Sequence, residues 1–215
     1  MTKKASKSSA DVNRHDVSAQ DFVGLERLIF FSDAVFAIAA TLLALDIRLP
    51  VGQEVMDHVQ LLTALLSIWH KYLAYLISFL VIGLFWISHH RKFRVIKRYD
   101  HGLLVLNLWF LMVIAFVPFP TSVISEYGDR TGTIFYALTM VLAGLALTAV
   151  WWHAAWHNRL LDPHLDTGYR RRQFVGLFLT IAVFGLSIGI AFVDDNLAKV
   201  SWLLILPVSL VMGRT

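Results

Sequence analysis

Six separate stretches of this chain are long and apolar enough to cross a bilayer, at about 25–47, 68–90, 102–124, 133–157, 173–193 and 197–213. A spanning helix needs about 20 mainly apolar residues at 1.5 Å rise each. Inside hydrocarbon, every backbone N–H and C=O must find a partner within the protein. The expected fold is therefore an all-α membrane protein with six transmembrane helices. Composition agrees over the whole length. Hydrophobic residues make up 57% and charged residues 16%, against roughly 45–50% and about 25% in soluble domains.

Residues 1–23 are polar and of mixed charge. They read as an unstructured cytoplasmic tail with no signal peptide, ahead of a transmembrane domain over 24–215. The second span extends back toward Val59 as a longer or interfacial helix, because Leu61, Leu62, Leu65, Leu66 and Trp69 recur at helical spacing. Pro118, Pro120 and Pro207 fall within spans, where prolines kink helices. Gly185 and Gly189 form a GxxxG pair, read as packing within the chain. With the N-terminus inside, all but Arg48, Lys71, Arg130 and Lys199 of the 19 lysines and arginines lie on the inner side. That asymmetry fits cytoplasmic loops and places both termini inside. It also accounts for the net charge of +4 without nucleic acid. The absence of cysteine excludes disulfides, thiolate metal sites and a cysteine nucleophile.

The first span carries unusual polarity. Asp33 lies two turns into the apolar run, where an ionised carboxylate costs several kcal/mol unless it faces protein or water. Projected at 100° per residue, Phe31, Ala34, Ile38, Thr41, Leu42 and Leu45 fall in a sector about 100° wide. Asp33 points to nearly the opposite side. One face is thus aliphatic with a single hydroxyl, and the other carries the carboxylate. The wheel leaves open whether the aliphatic face meets lipid, a neighbouring helix or a pore.

The string Arg27-x-x-x-Phe31-Ser32-Asp33, followed by Ala-x-x-Ala-Ile-x-x-Thr-Leu-Leu-x-Leu-Asp-Ile, resembles the first-helix signature of prokaryotic members of the lysosomal potassium-channel family. About twenty residues carry this resemblance strongly. It implies a homotetrameric, modestly potassium-selective cation channel, with the first helix of each subunit lining the pore. It implies rings of Ile38, Leu42 and Leu45 as the constriction, with Thr41 as a hydroxyl ring. It further implies that Arg27, Phe31, Ser32 and Asp33 belong to a polar network near the cytoplasmic end, joined by a histidine from the second span. His89, on the same face as Trp86, is favoured over His90. Apolar collars gate by dewetting, since an ion must shed water there with no replacement ligand. Asp46, just past the collars, is placed at the outer mouth, where it would concentrate cations. The expected partners are a homotetramer, the bilayer of a prokaryotic plasma membrane and monovalent cations. No cofactor is expected beyond the permeant potassium ion, and no enzymatic activity.

Other features point elsewhere. Thr167-Gly168-Tyr169 is a fragment of a potassium-filter string but precedes three arginines, and reads as a turn. His153 and His157 stand four apart, the spacing of a metal pair, yet no carboxylate in that helix completes a site. They read as solvated or interfacial. Two competing readings remain: a proton-coupled transporter using Asp33, and a membrane enzyme or haem protein using the histidine pairs.

Overall fold

The computed structural model describes the backbone of residues 2–49, 57–156 and 160–205, and side chains within those ranges from Val23 onward. The regular elements among the described residues are helices: α1 (Thr2–Leu45), α2 (His58–Ser67), α3 (Trp69–Val95), α4 (His101–Phe116), α5 (Pro118–Tyr127), α6 (Arg130–Ala155), α7 (Thr167–Ala191) and α8 (Asp195–Ser201), with a 3-10 turn at Trp202–Leu204. Five described stretches are long and apolar enough to span a membrane: Val23–Leu45, Trp69–Val95, His101–Tyr127, Arg130–Ala155 and Thr167–Ala191. The sixth expected span is described only to Ile205, and its remainder lies outside the described residues.

Local chemistry sets the boundaries. Aspartates cap five helices by accepting a first-turn N–H: Asp57 from Gln60, Asp100 from Leu103, Asp129 from Gly132, Asp166 from Tyr169 and Asp194 from Asn196 and Leu197. At α2 the Gln60 side chain bonds back to the Asp57 N–H, completing a capping box. Pro118 lacks an N–H, so the Ile114 carbonyl accepts from Val117 at 3.1 Å instead. The third apolar run therefore breaks into α4 and α5. Gly128 ends α5 at φ 58, a left-handed conformation open to glycine, with its N–H on the Ile124 carbonyl.

Four expectations need correction. The polar segment before Val23 is helical and not unstructured, because α1 begins at Thr2. No glycine or proline interrupts residues 2–23, so nothing stops the helix from propagating upstream. The apolar run from Val59 divides at Ile68 into α2 and α3. Thr167-Gly168-Tyr169 is the first turn of α7, because Asp166 supplies a cap. A Cβ built on Gly185 or Gly189 meets nothing within 4 Å, so this pair faces away from the chain's own core. The close helix approach occurs at Gly144, whose built Cβ would sit 2.7 Å from Ile181 Cγ1.

The core centres on α6, whose Tyr136, Met140, Ala143, Leu147, Val150 and Trp151 are all buried between α4 and α7. α1 packs against α3, α4 and α5. At one end, the α3–α4 and α6–α7 connections pair through an Ile96–Leu161 bridge. At the other end, Lys199 Nζ donates to the Gly128 carbonyl at 2.6 Å, and Arg130 Nε donates to the Ala191 carbonyl at 3.0 Å.

Candidate pore-lining face and the polar cluster behind it

α1 has two faces with the same three-four spacing. Leu25, Leu28, Ser32, Phe36, Ala39 and Leu43 are buried against the other helices. Phe31, Ala34, Ile38, Thr41, Leu42 and Leu45 are exposed on the chain. Ile38 keeps 58% of its surface and Leu45 65%. The aliphatic stripe is therefore left without a partner inside the chain over some four turns. A continuous apolar face of this kind marks a contact with lipid, with another copy or with a lumen. The Thr41 hydroxyl donates to the Ile38 carbonyl at 2.9 Å. Its proton is used within the helix, so its remaining lone pair is free to face outward.

Behind the buried face lies a directional hydrogen-bond chain. His89 Nε2 lies 2.9 Å from Asn107 Oδ1, Asn107 Nδ2 donates to Ser32 Oγ at 2.9 Å, and Ser32 Oγ donates to the Leu28 carbonyl at 2.8 Å. With the proton on Nε2, each donor meets one acceptor, which is what a buried cluster requires. The His89 ring stacks between Phe93, at 4.1 Å between centroids, and Phe110, at 5.7 Å. These contacts tie α1, α3 and α4 together.

Asp33 forms a separate pair, accepting from Trp86 Nε1 at 2.8 Å. Trp86 also leans on His90, with centroids 5.7 Å apart. His89 thus reaches Asn107 and His90 stays with Trp86. Phe31 is exposed on the aliphatic stripe. Arg27 is exposed and, among the described residues, joins neither polar group. At the far end of α1, Asp46 is held against α5. Ser122 Oγ donates to its Oδ1 at 2.9 Å, and Ser125 Oγ lies 3.5 Å from its Oδ2.

Three functional side chains escaped the sequence reading. Asn107 was hidden because only its isolation as an amide in an apolar run marks it, and its partners are distant in sequence. Lys92 counted as an inner-loop charge, yet it is 1% exposed. Its ammonium donates to Ser88 Oγ at 2.8 Å and Gln173 Oε1 at 3.1 Å, and lies 5.9 Å from the Trp151 ring centroid. Asp100 was missed as the partner of His153, whose Nε2 lies 3.0 Å from Oδ1. That corrects the solvated reading of His153, because the carboxylate comes from the α3–α4 connection and not from α6. His157 lies outside the described residues. No group of three metal-ligating side chains occurs among the described residues.

Residues 27–118 match the family described as endosomal/lysosomal potassium channel TMEM175. A protein named as a potassium channel from Streptomyces collinus is 42% identical over 178 residues, covering 80% of this chain and 84% of its own. A chicken protein named as the endosomal/lysosomal proton channel TMEM175 is 32% identical over 188 residues, covering 82% of this chain and 37% of its own. The crystal structure of a lysosomal potassium-selective channel TMEM175 homolog from Chamaesiphon minutus superposes with a TM-score of 0.77 at 30% identity. The alignment covers 88% of this chain and 98% of that one.

Proposed function

We propose a mechanism from one premise: this chain belongs to the TMEM175 family of endosomal and lysosomal potassium channels. It is a potassium-permeable membrane channel and not an enzyme. The observation that carries the mechanism is the unpartnered aliphatic stripe on α1. One copy cannot enclose a pore with a single helix face. Four copies around an axis can, each a six-span subunit turning its α1 stripe inward, with both termini cytoplasmic. The proposed setting is a prokaryotic plasma membrane, with the excess of Lys and Arg on its cytoplasmic side.

In that assembly Ile38, Leu42 and Leu45 form successive apolar collars. An ion crossing a narrow apolar collar sheds water without gaining ligands, so each collar is a dewetting gate. The Thr41 hydroxyl, its proton donated inward to Ile38, offers an outward oxygen to a partly dehydrated cation between collars. This mechanism favours potassium over sodium modestly, because potassium loses water more cheaply. Asp46 contributes negative potential at the outer mouth while fastened to α5. The Ser32–Asn107–His89 chain and the Asp33–Trp86 pair hold the rear of α1 in place, so that the stripe stays rigid. Arg27 lies exposed at the same end, where a neighbouring copy supplies its contacts.

A single-cysteine variant tests the lumen directly, since the chain has no native cysteine. Thr41→Cys, treated with a hydrophilic cationic thiol reagent during potassium flux, is expected to lose most of its flux. Phe178→Cys, on the exposed face of α7, is expected to be insensitive. Equal sensitivity at both positions contradicts the lining role of α1.

A further inference from the structure

At the end of the molecule opposite the Ser32–Asn107–His89 chain, a crevice of about 360 Å³ opens between α3, α5 and α8. Its mouth is flanked by Trp69 and Tyr127, both largely exposed. Its floor holds Ser78, Tyr136 and Trp202, all buried. The Tyr136 and Trp202 rings stack at 4.7 Å. Ser78 Oγ lies 3.1 Å from the Tyr136 hydroxyl and accepts from Thr121 at 2.9 Å. From Trp69 to Ser78 along α3, the slot is about 13 Å deep. Ligand pockets of this size are apolar and aromatic with a few polar groups that fix orientation.

The charge pattern selects a class of ligand. Two ionised side chains line the crevice, Glu126 and Lys199. Lys199 is already committed, donating to Asp195 Oδ2 at 2.9 Å and to the Gly128 carbonyl. Asp195 cancels its charge. Glu126 stands exposed at the mouth, so the crevice presents a carboxylate beside several aromatic faces. That combination suits a cation with an apolar body, through charge and cation–π attraction. A volume of about 360 Å³ fits a small amphiphile with one short apolar chain.

One wall of the crevice is α5, which contributes Ile124, Ser125, Glu126 and Tyr127. α5 is separated from α4 by the Pro118 break, and its Ser122, which does not line the crevice, donates to Asp46 at the end of α1, with the crevice-lining Ser125 3.5 Å from the same carboxylate. We infer that the crevice between α3, α5 and α8 binds small hydrophobic ammonium compounds, and that occupancy is transmitted through α5 and Asp46 to the α1 stripe. The binding half stands on the crevice alone. The transmission half rests on the pore reading proposed above.

The test uses the full chain and hexyltrimethylammonium, with hexanol and hexanoate as neutral and anionic comparisons. Calorimetric titration is expected to rank the ammonium tightest. Glu126→Gln and the slot-filling Ala74→Phe are each expected to weaken its binding at least tenfold, while hexanol binding changes little in Glu126→Gln. Equal binding of all three probes overturns the proposal, as does unchanged ammonium affinity in both variants. In liposomes, the ammonium is expected to change potassium flux at least twofold in the wild type. It is expected to do so much less in Glu126→Gln, each relative to its own basal flux. Equal sensitivity of the two proteins assigns the effect to block of the pore and overturns the transmission half. If the wild type carries no potassium, the pore reading fails while the titration still judges the crevice.

Discussion

Asn107 shows how much of this structure depends on single polar atoms. It bonds both His89 and Ser32, so removing it orphans the buried His89 Nε2 and takes one of two hydrogen bonds from Ser32, whose hydroxyl still donates to the Leu28 carbonyl. An unsatisfied buried group costs about 1–3 kcal/mol in soluble proteins, whereas interhelical bonds in membranes average about 0.6 kcal/mol. Asn107→Leu is therefore expected to destabilise the fold by about 1–2 kcal/mol, and Ser32→Ala by less. Thermal unfolding in detergent measures both, and an Asn107→Leu midpoint equal to wild type contradicts the clamp. Trp86→Phe removes the N–H that meets Asp33 while keeping most of the apolar surface. It is expected to resemble Asp33→Leu in stability, because both break the same bond. At this scale the sequence announced Asp33, because a carboxylate in an apolar run is conspicuous. It did not announce Asn107's role or the burial of Lys92, since their partners lie on other helices and no local pattern encodes them.

Helix α1 joins two functions on opposite faces, and adjacent residues separate them. Leu43 is 2% exposed and Leu42 is 42% exposed. Leu43→Ala is expected to cost about 2–5 kcal/mol of folding stability, the usual range for a buried leucine. Leu42→Ala is expected to cost under about 1 kcal/mol in folding but to alter flux severalfold. A reversed pattern, measured by unfolding and by flux on the same preparations, contradicts the assignment of faces. This two-facedness was legible from spacing alone, because helical periodicity is a local property. The break at Pro118 was legible for the same reason. The division at Ile68 was not, since no proline or glycine marks it, and Ile68 leaves helical geometry at φ −94, ψ 20. The upstream reach of α1 was also missed, because polarity was read as disorder where only a helix breaker would have ended the helix.

For the whole molecule, the buried side chains account for one copy, and the exposed α1 stripe is the face that the proposed assembly turns inward. The lack of native cysteine makes the arrangement of copies testable. Under mild oxidation Leu45→Cys is expected to form disulfide-linked pairs, because the proposed assembly brings four α1 helices to one axis. Phe178→Cys is expected to remain monomeric on denaturing gels. Efficient linkage at Phe178 with none at Leu45 contradicts the proposed axis. Membrane class and the apolar spans were legible because the bilayer imposes length and composition directly. The assembly was not, because which apolar face meets lipid and which meets another copy is decided between chains. The most direct test of the account is potassium flux from loaded liposomes containing purified wild type, Ile38→Asn or Leu42→Asn. The account predicts passive flux down the electrochemical gradient in wild type, raised severalfold by either variant as the apolar collar is hydrated. Flux that requires a proton gradient, or that neither variant changes, would contradict a pore closed by the α1 stripe.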